Sequence, residues 1–224
     1  MRHIYFIFIL ALAPSLRAET LNEVLTRMDQ ASRNFKSVLA DIHRTDYSDL
    51  FQETNAEDGT FKMLRRAKTG VVLLAVFTGR NERKLRVSDN KLEIYHPKAN
   101  SEDVYNTRKF TKSADELLMI GFGTSRADLE RKFNISLGGS ETINGVKTTR
   151  LDLKPKSAEE KNFFNTIQLW IPEDKGNPIQ EKVLSGKESK DYNLLQYSNI
   201  RINPALPDSE LELNLPAGVK VIKP

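Results

Sequence analysis

Cysteine is absent from the chain, which excludes disulfides, thiolate catalysis and cysteine-based metal sites together. It also excludes the lipid anchor of bacterial lipoproteins, which is attached to a cysteine at the processed N-terminus. Histidine is scarce: of three, only His43 and His96 lie beyond the first eighteen residues. Neither stands in a ligand spacing such as HExxH, so both read as structural or surface side chains. No GxSxG elbow, P-loop or GxGxxG occurs, which removes the familiar nucleophile, phosphate and dinucleotide signatures. Acids such as Asp41 and Asp46 have the chemistry of a catalytic dyad, but no spacing singles them out. An enzyme is therefore the weaker reading, with an esterase of unrecognised type as its form, and no catalytic residue, metal or cofactor is expected.

An excess of one charge is also lacking. The chain carries 34 Lys and Arg against 30 Asp and Glu, too even a balance for a dedicated nucleic-acid binder, which needs clustered and unopposed bases. Long apolar runs are missing except for IYFIFILALA, residues 4–13, which follows Met1-Arg2-His3 and precedes Pro14-Ser15-Leu16-Arg17-Ala18. A permanent membrane anchor needs about 20 apolar residues. The pattern is that of a secretory signal peptide cut after Ala18, leaving Glu19 first in an exported chain with a single domain over 19–224. Cleavage removes Arg2 and Arg17 and no acid, so 34 bases fall to 32 against 30 acids. No Pro/Gly/Ser-rich linker divides what remains.

What is present is amphipathic periodicity of two kinds. Thr20-x-x-Glu23 forms a capping box, and Leu21, Val24, Leu25, Met28, Ala31 and Phe35 follow at helical spacing, predicting an N-terminal amphipathic helix. Short runs rich in Val, Ile, Leu, Thr and Tyr come next, with turn signals at Asp89-Asn90, Asn144-Gly145 and Lys175-Gly176-Asn177-Pro178. Strands are expected near 38–47, 59–66, 70–77, 83–88, 91–96, 102–107, 133–138, 140–144, 147–153, 166–171, 179–184, 192–202 and 210–214, making a mostly antiparallel sheet. In the last of these, Leu211, Leu213 and Leu215 alternate with Glu210, Glu212 and Asn214, so one face is dry.

Two features bear on function. Residues 113–133 interrupt the strands with two capped helix starts, Ser113 with Glu116 and Ser125 with Asp128, separated by Gly121-Phe122-Gly123. Leu117, Leu118, Met119, Ile120 and Phe122 make an apolar patch there, which either packs as a simple crossover or forms a glycine-hinged cover over the sheet. In GTFKMLRRA, residues 59–67, strand parity puts Arg65 with Phe61 and Met63 on the dry face, where a guanidinium needs acceptors. A bulge that turns it outward or leaves it in a rim ion pair is the alternative. By the same parity Arg66 points to solvent.

Taken in order, these pieces resemble the LolA-type periplasmic carriers of outer-membrane lipoproteins. Gly59-Thr60-Phe61-Lys62-Met63-Leu64-Arg65 matches a Gly-x-φ-x-φ-x-Arg strand of that family, and Asp89-Asn90-Lys91-Leu92-Glu93-Ile94-Tyr95-His96-Pro97 matches a "dG..l..Y.P" segment. YSNIRINPALPDSELELNLPAGVKVI matches the family tail, and the similarity covers most of residues 20–222. The chain departs in having Arg66-Ala67 where a proline usually follows the arginine, and Asn90 for the turn glycine.

The resemblance implies an α+β fold of mostly antiparallel β structure: an incomplete, strongly curved β-barrel with an N-terminal amphipathic helix and a helical cover over the concave apolar side. It implies a monomeric carrier that takes acyl chains of lipoproteins into an apolar cavity, with Arg65, Phe61, Met63, Leu73, Phe77, Leu117, Leu118, Ile120 and Phe122 as ligand-binding residues. Leu211, Leu213 and Leu215 would line that cavity or pack beside it. The implied partners are acylated lipoprotein cargo, an inner-membrane ABC-type release complex and an outer-membrane receptor. A lipid- or lipoprotein-sensing regulatory module of the same architecture is the alternative.

Overall fold

A computed structural model describes residues 19–66, 70–106, 120–158, 160–162, 164–185 and 190–223. Residues 1–18, expected to be a signal peptide, and residues 113–119 of the predicted 113–133 insertion, with Leu117 and Leu118, lie outside the described residues. Helix α1 (Leu21–Arg33) opens the fold through the expected capping box: the Thr20 hydroxyl accepts from the Glu23 amide while Glu23 accepts from the Thr20 amide. Such a cap satisfies two of the backbone donors left open at a helix start. The helix stops before Phe35, whose ring turns down onto the sheet.

Among the described residues twelve strands form one sheet. In chain order they are β1 (Ser37–Ser48), β2 (Glu53–Arg66), β3 (Gly70–Phe77), β4 (Arg83–Ser88), β5 (Lys91–His96), β6 (Ser101–Asn106), β7 (Phe133–Ile143), β8 (Val146–Pro155), β9 (Thr166–Pro172), β10 (Gln180–Leu184), β11 (Tyr192–Ile202) and β12 (Lys220–Ile222). Their spatial order is β12-β6-β5-β4-β3-β2-β1-β11-β10-β9-β8-β7, antiparallel except where β12 lies parallel to β6. The ends β12 and β7 do not pair with each other, so the curved barrel is incomplete. Helix α2 (Arg126–Lys132) precedes β7 and starts at Ser125, whose hydroxyl accepts from the Asp128 amide.

Turn chemistry explains much of the register. Asn144-Gly145 and Asp89-Asn90 both take positive φ at two central positions, the type I′ hairpin geometry. Residues 133–138 and 140–144 form one strand interrupted by a bulge at Gly138-Gly139. On β11 the pairing with β1 shifts around Asn199, which sits at φ 51°. That bulge reverses the strand's parity and brings Leu195, Tyr197 and Ile200 onto the same packed face.

The sheet buries apolar side chains on both faces. Its inner face, which carries α1, holds two adjoining clusters. Val24, Leu25 and Met28 of α1 pack on Leu151 and Leu153 of β8 and on Ile167, Leu169 and Ile171 of β9. Phe35 and Phe122 pack on Val38, Ala40, Phe61, Met63, Leu73, Ala75, Phe77 and Val87. On the outer face Val72, Leu74 and Tyr95 are covered by Leu211 and Leu213.

That outer cluster corrects two expectations. Residues 210–214 are no strand: Asp208–Leu211 is a short 3₁₀ turn followed by an irregular extended arm. Prolines at 204, 207 and 216 bracket the segment and remove backbone donors a ladder would need. Leu211 and Leu213 are buried as their alternation predicts, but against the outer face, remote from any inner cavity, while Leu215 is 38% exposed. Conversely, β2 begins at Glu53, six residues before the expected start, and β12 went unread because Lys220–Ile222 is too short to show a period.

Candidate functional site

The inner cluster forms around Phe122. Its ring lies 5.1 Å from Tyr197 in an edge-to-face arrangement, 5.9 Å from Phe61 and 6.5 Å from Phe35. Such aromatic geometries add about 0.5–1.5 kcal/mol beyond burial itself. Phe122 is 1% exposed, and it enters the sheet's inner surface from a loop rather than from a strand or helix. Gly121 and Gly123 on either side have φ 96° and 72°, in the left-handed region where a side chain is strained. Neither has room for a Cβ: Gly121 abuts Pro178, and Gly123 abuts Arg65 and Phe35.

Arg65 ties this loop to the helix. One guanidinium nitrogen, Nη1, donates to the Ser32 carbonyl at the end of α1 at 2.9 Å, and Nη2 donates to the Gly123 carbonyl. The guanidinium also lies 5.4 Å from the centre of the Phe35 ring. The outward-turned alternative is thereby excluded, and the parity shared with Phe61 and Met63 holds. Two carbonyls and an aromatic face meet the requirement of a charge placed on a dry surface.

Seven of the nine sequence-predicted site residues are described. Phe61, Met63, Leu73, Phe77 and Phe122 share one buried cluster, with Arg65 at its edge. Ile120 is buried in the adjoining cluster beneath α1. Arg66 departs from expectation. Its Nη2 lies 3.1 Å from Asp208 Oδ2 and its side chain is 23% exposed, because the C-terminal arm crosses the outer face where solvent was expected. Among the described residues no group of three His, Asp or Glu is placed to hold a metal ion. His43 and His96 instead pair with Asp58 and Asp103.

Sequence reasoning missed a polar pair inside this face. Glu181 on β10 lies opposite Leu169 on β9 and Leu195 on β11, both inward-facing. It is 5% exposed. Burial pushes its carboxyl up to about 8, with only a hydrogen bond from Tyr197 opposing the rise. Burial and the neighbouring Glu181 hold the Tyr197 phenol well above its ordinary value. The signal was available, since Glu181 has the strand parity of Val183. An opposing Arg44-Glu57-Arg83 group closes the far end of the same face, with the Arg83 guanidinium 4.3 Å from the centre of the Phe77 ring.

No protein-family profile and no curated protein matches the chain. Solved structures do. An uncharacterized conserved protein from Thermus thermophilus is 10% identical with a TM-score of 0.56, over 91% of this chain and 98% of that one. MucB is 15% identical with a TM-score of 0.50, over 86% of this chain and 62% of MucB, so the chain spans about three-fifths of MucB's length. A LolA superfamily protein from Nitrosomonas europaea is 12% identical with a TM-score of 0.41, over 87% of this chain and 98% of that one. At such identities the likeness is one of fold, and that fold is an incomplete, curved and mostly antiparallel barrel, as the sequence resemblance implies.

Proposed function

We propose that the chain is a periplasmic carrier that binds the acyl chains of lipoproteins against the inner face of its barrel and shuttles them from the inner to the outer membrane. The observation that supports this most is Phe122: an aromatic side chain on a glycine-flanked loop occupies the centre of the inner face and is held there by Arg65. A covering side chain of this kind leaves the apolar surface intact when it is withdrawn, and each methylene of a replacing acyl chain gains about 0.8 kcal/mol on burial. Phe61, Met63, Leu73 and Phe77 then line the acyl site with Ile120, and the resemblance assigns Leu117 and Leu118 to ligand binding as well. Arg65 stabilises the closed, empty form through its two carbonyl acceptors. Loading exchanges those bonds for acyl burial, and closing restores them and favours release. Loading from an inner-membrane ABC-type complex and delivery to an outer-membrane receptor follow from the resemblance. The chain itself needs no nucleotide.

The likeness to MucB favours a second reading, a lipid-sensing module that binds a protein partner, since MucB forms a complex with MucA. Purification from the periplasm followed by mass spectrometry of bound lipids and proteins separates the two. The carrier reading expects acylated lipoproteins at near-stoichiometric yield in a chain beginning at Glu19. Free lipid with one fixed protein partner supports the sensor, and an uncleaved, membrane-bound chain contradicts the carrier.

A further inference from the structure

Between the two clusters of the inner face stands one buried carboxyl. Glu181 projects inward at the seam between the α1-covered and Phe122-covered clusters, flanked across the sheet by Leu169 and Leu195. Tyr197 donates a hydrogen bond to it, and the centre of its ring lies 5.1 Å from that of Phe122 in an edge-to-face arrangement. Withdrawal of Phe122 would therefore free a face of the residue that Glu181 is bonded to. Nothing in the packing asks for a carboxyl here. Leucine or glutamine at this strand position would satisfy the same sheet, and an acid on a dry face is costly.

We propose that Glu181 and Tyr197 form the polar recognition point of the acyl site, accepting a ligand that carries an ester or amide carbonyl at the head of its acyl chain. This rests on the carrier reading and narrows it, because it distinguishes acylated cargo from plain hydrocarbon. A buried carboxyl held neutral has one O–H to give and one oxygen to accept with. Tyr197 uses the accepting oxygen, and the O–H is directed to the ligand carbonyl. Among the described residues Tyr197 is the ionisable group that acts on Glu181, whose strand neighbours on this face are Leu169 and Leu195. Val24, Leu25 and Met28 of α1 belong to the adjoining cluster, and Arg44 of β1, paired with Glu57, lies opposite Leu195 on its far side. Burial raises the carboxyl to about 8, so the donor is present at neutral pH and is lost above that value.

The test uses methyl laurate and dodecane, each displacing pyrene from the full exported chain, at pH 7 and pH 9. For the wild type the ester-to-hydrocarbon affinity ratio should exceed that of Glu181→Leu by about tenfold at pH 7, a difference of the size one neutral hydrogen bond gives. Glu181→Gln, which keeps an N–H donor, should stay within about threefold of wild type. Raising the pH to 9 should lower the wild-type ratio and leave the Glu181→Gln ratio flat. An unchanged ratio in Glu181→Leu, with both probes bound, overturns the inference and leaves the carrier reading standing. Failure of the wild type to bind either probe overturns both.

Discussion

Strand β3 is covered twice, and the two covers are built differently. On the outer side Val72 and Leu74 lie under Leu211 and Leu213 of the C-terminal arm. Four basic side chains fasten that arm: Lys62 to Glu210 at 2.7 Å, Arg66 to Asp208 at 3.1 Å, Arg86 to the Leu211 carbonyl at 2.8 Å and to Glu212 at 3.3 Å, and Lys84 to the Leu213 carbonyl at 3.0 Å. On the inner side Leu73 and Ala75 belong to the cluster under Phe122, whose loop is fastened to the sheet by Arg65. Fastenings spread over several strand positions make a cover that must lose several contacts at once. A cover tied to the sheet through a guanidinium, as Gly123 is by Arg65, is one whose bond a competing ligand can replace. The arm is thus part of the fold, and the Phe122 loop is the part we assign to function.

The comparison breaks most severely if the arm is attacked. Leu211→Ala empties a site that is 0% exposed and should cost about 2–5 kcal/mol. Urea denaturation followed by circular dichroism should show a lowered midpoint with no change in affinity for an acyl probe relative to the folded fraction. Phe122→Ala should cost less than the roughly 3–5 kcal/mol usual for a core phenylalanine, because its loop can relax away from the sheet. It should also tighten acyl-probe binding, since the ligand no longer has to displace the ring. Equal destabilisation by the two substitutions, with weakened probe binding by Phe122→Ala, would erase the distinction between the covers.

A third expectation concerns pH. Glu181 has its folded-state value raised to about 8 from an ordinary 4.5. The folded chain therefore holds a proton that the unfolded chain releases, and stability is greatest below about 4.5 and is lost as pH rises toward 8. From this group alone, thermal midpoints should decline across that window for the wild type and decline less for Glu181→Gln. An identical pH profile in the variant would mean the carboxyl is solvated in solution. The smallest effect belongs to Arg66→Leu. It removes an ion pair to an Asp208 side chain that is 62% exposed, worth about 0–1 kcal/mol, and should leave probe affinity within about twofold of wild type.

Much of the fold was legible in the sequence because alternation and turn residues act locally. The capping box, the Asn144-Gly145 hairpin and the inward parity of Arg65 all follow from a few adjacent residues. Leu211 and Leu213 show where that reasoning ends. Alternation identified them as buried, but which face of the sheet they bury, and whether a strand carries them, depends on β3 and β4 more than a hundred residues earlier. Arg66 was misjudged for the same reason, since the face that looks solvated along β2 is roofed by a distant arm. Glu181 was overlooked because an acid at an inward position reads as a break in the pattern, when the break was the information.

The central claim is that Arg65 holds an empty, closed site against an acyl ligand, and equilibrium binding of a fluorescent fatty-acyl probe to wild type and Arg65→Leu tests it most directly. Each charge-assisted bond lost from the closed form is worth about 1.5–3 kcal/mol. The variant, if folded by circular dichroism, should bind the probe roughly ten- to a hundredfold more tightly and release it more slowly. Unchanged or weaker binding in a folded Arg65→Leu would contradict the account.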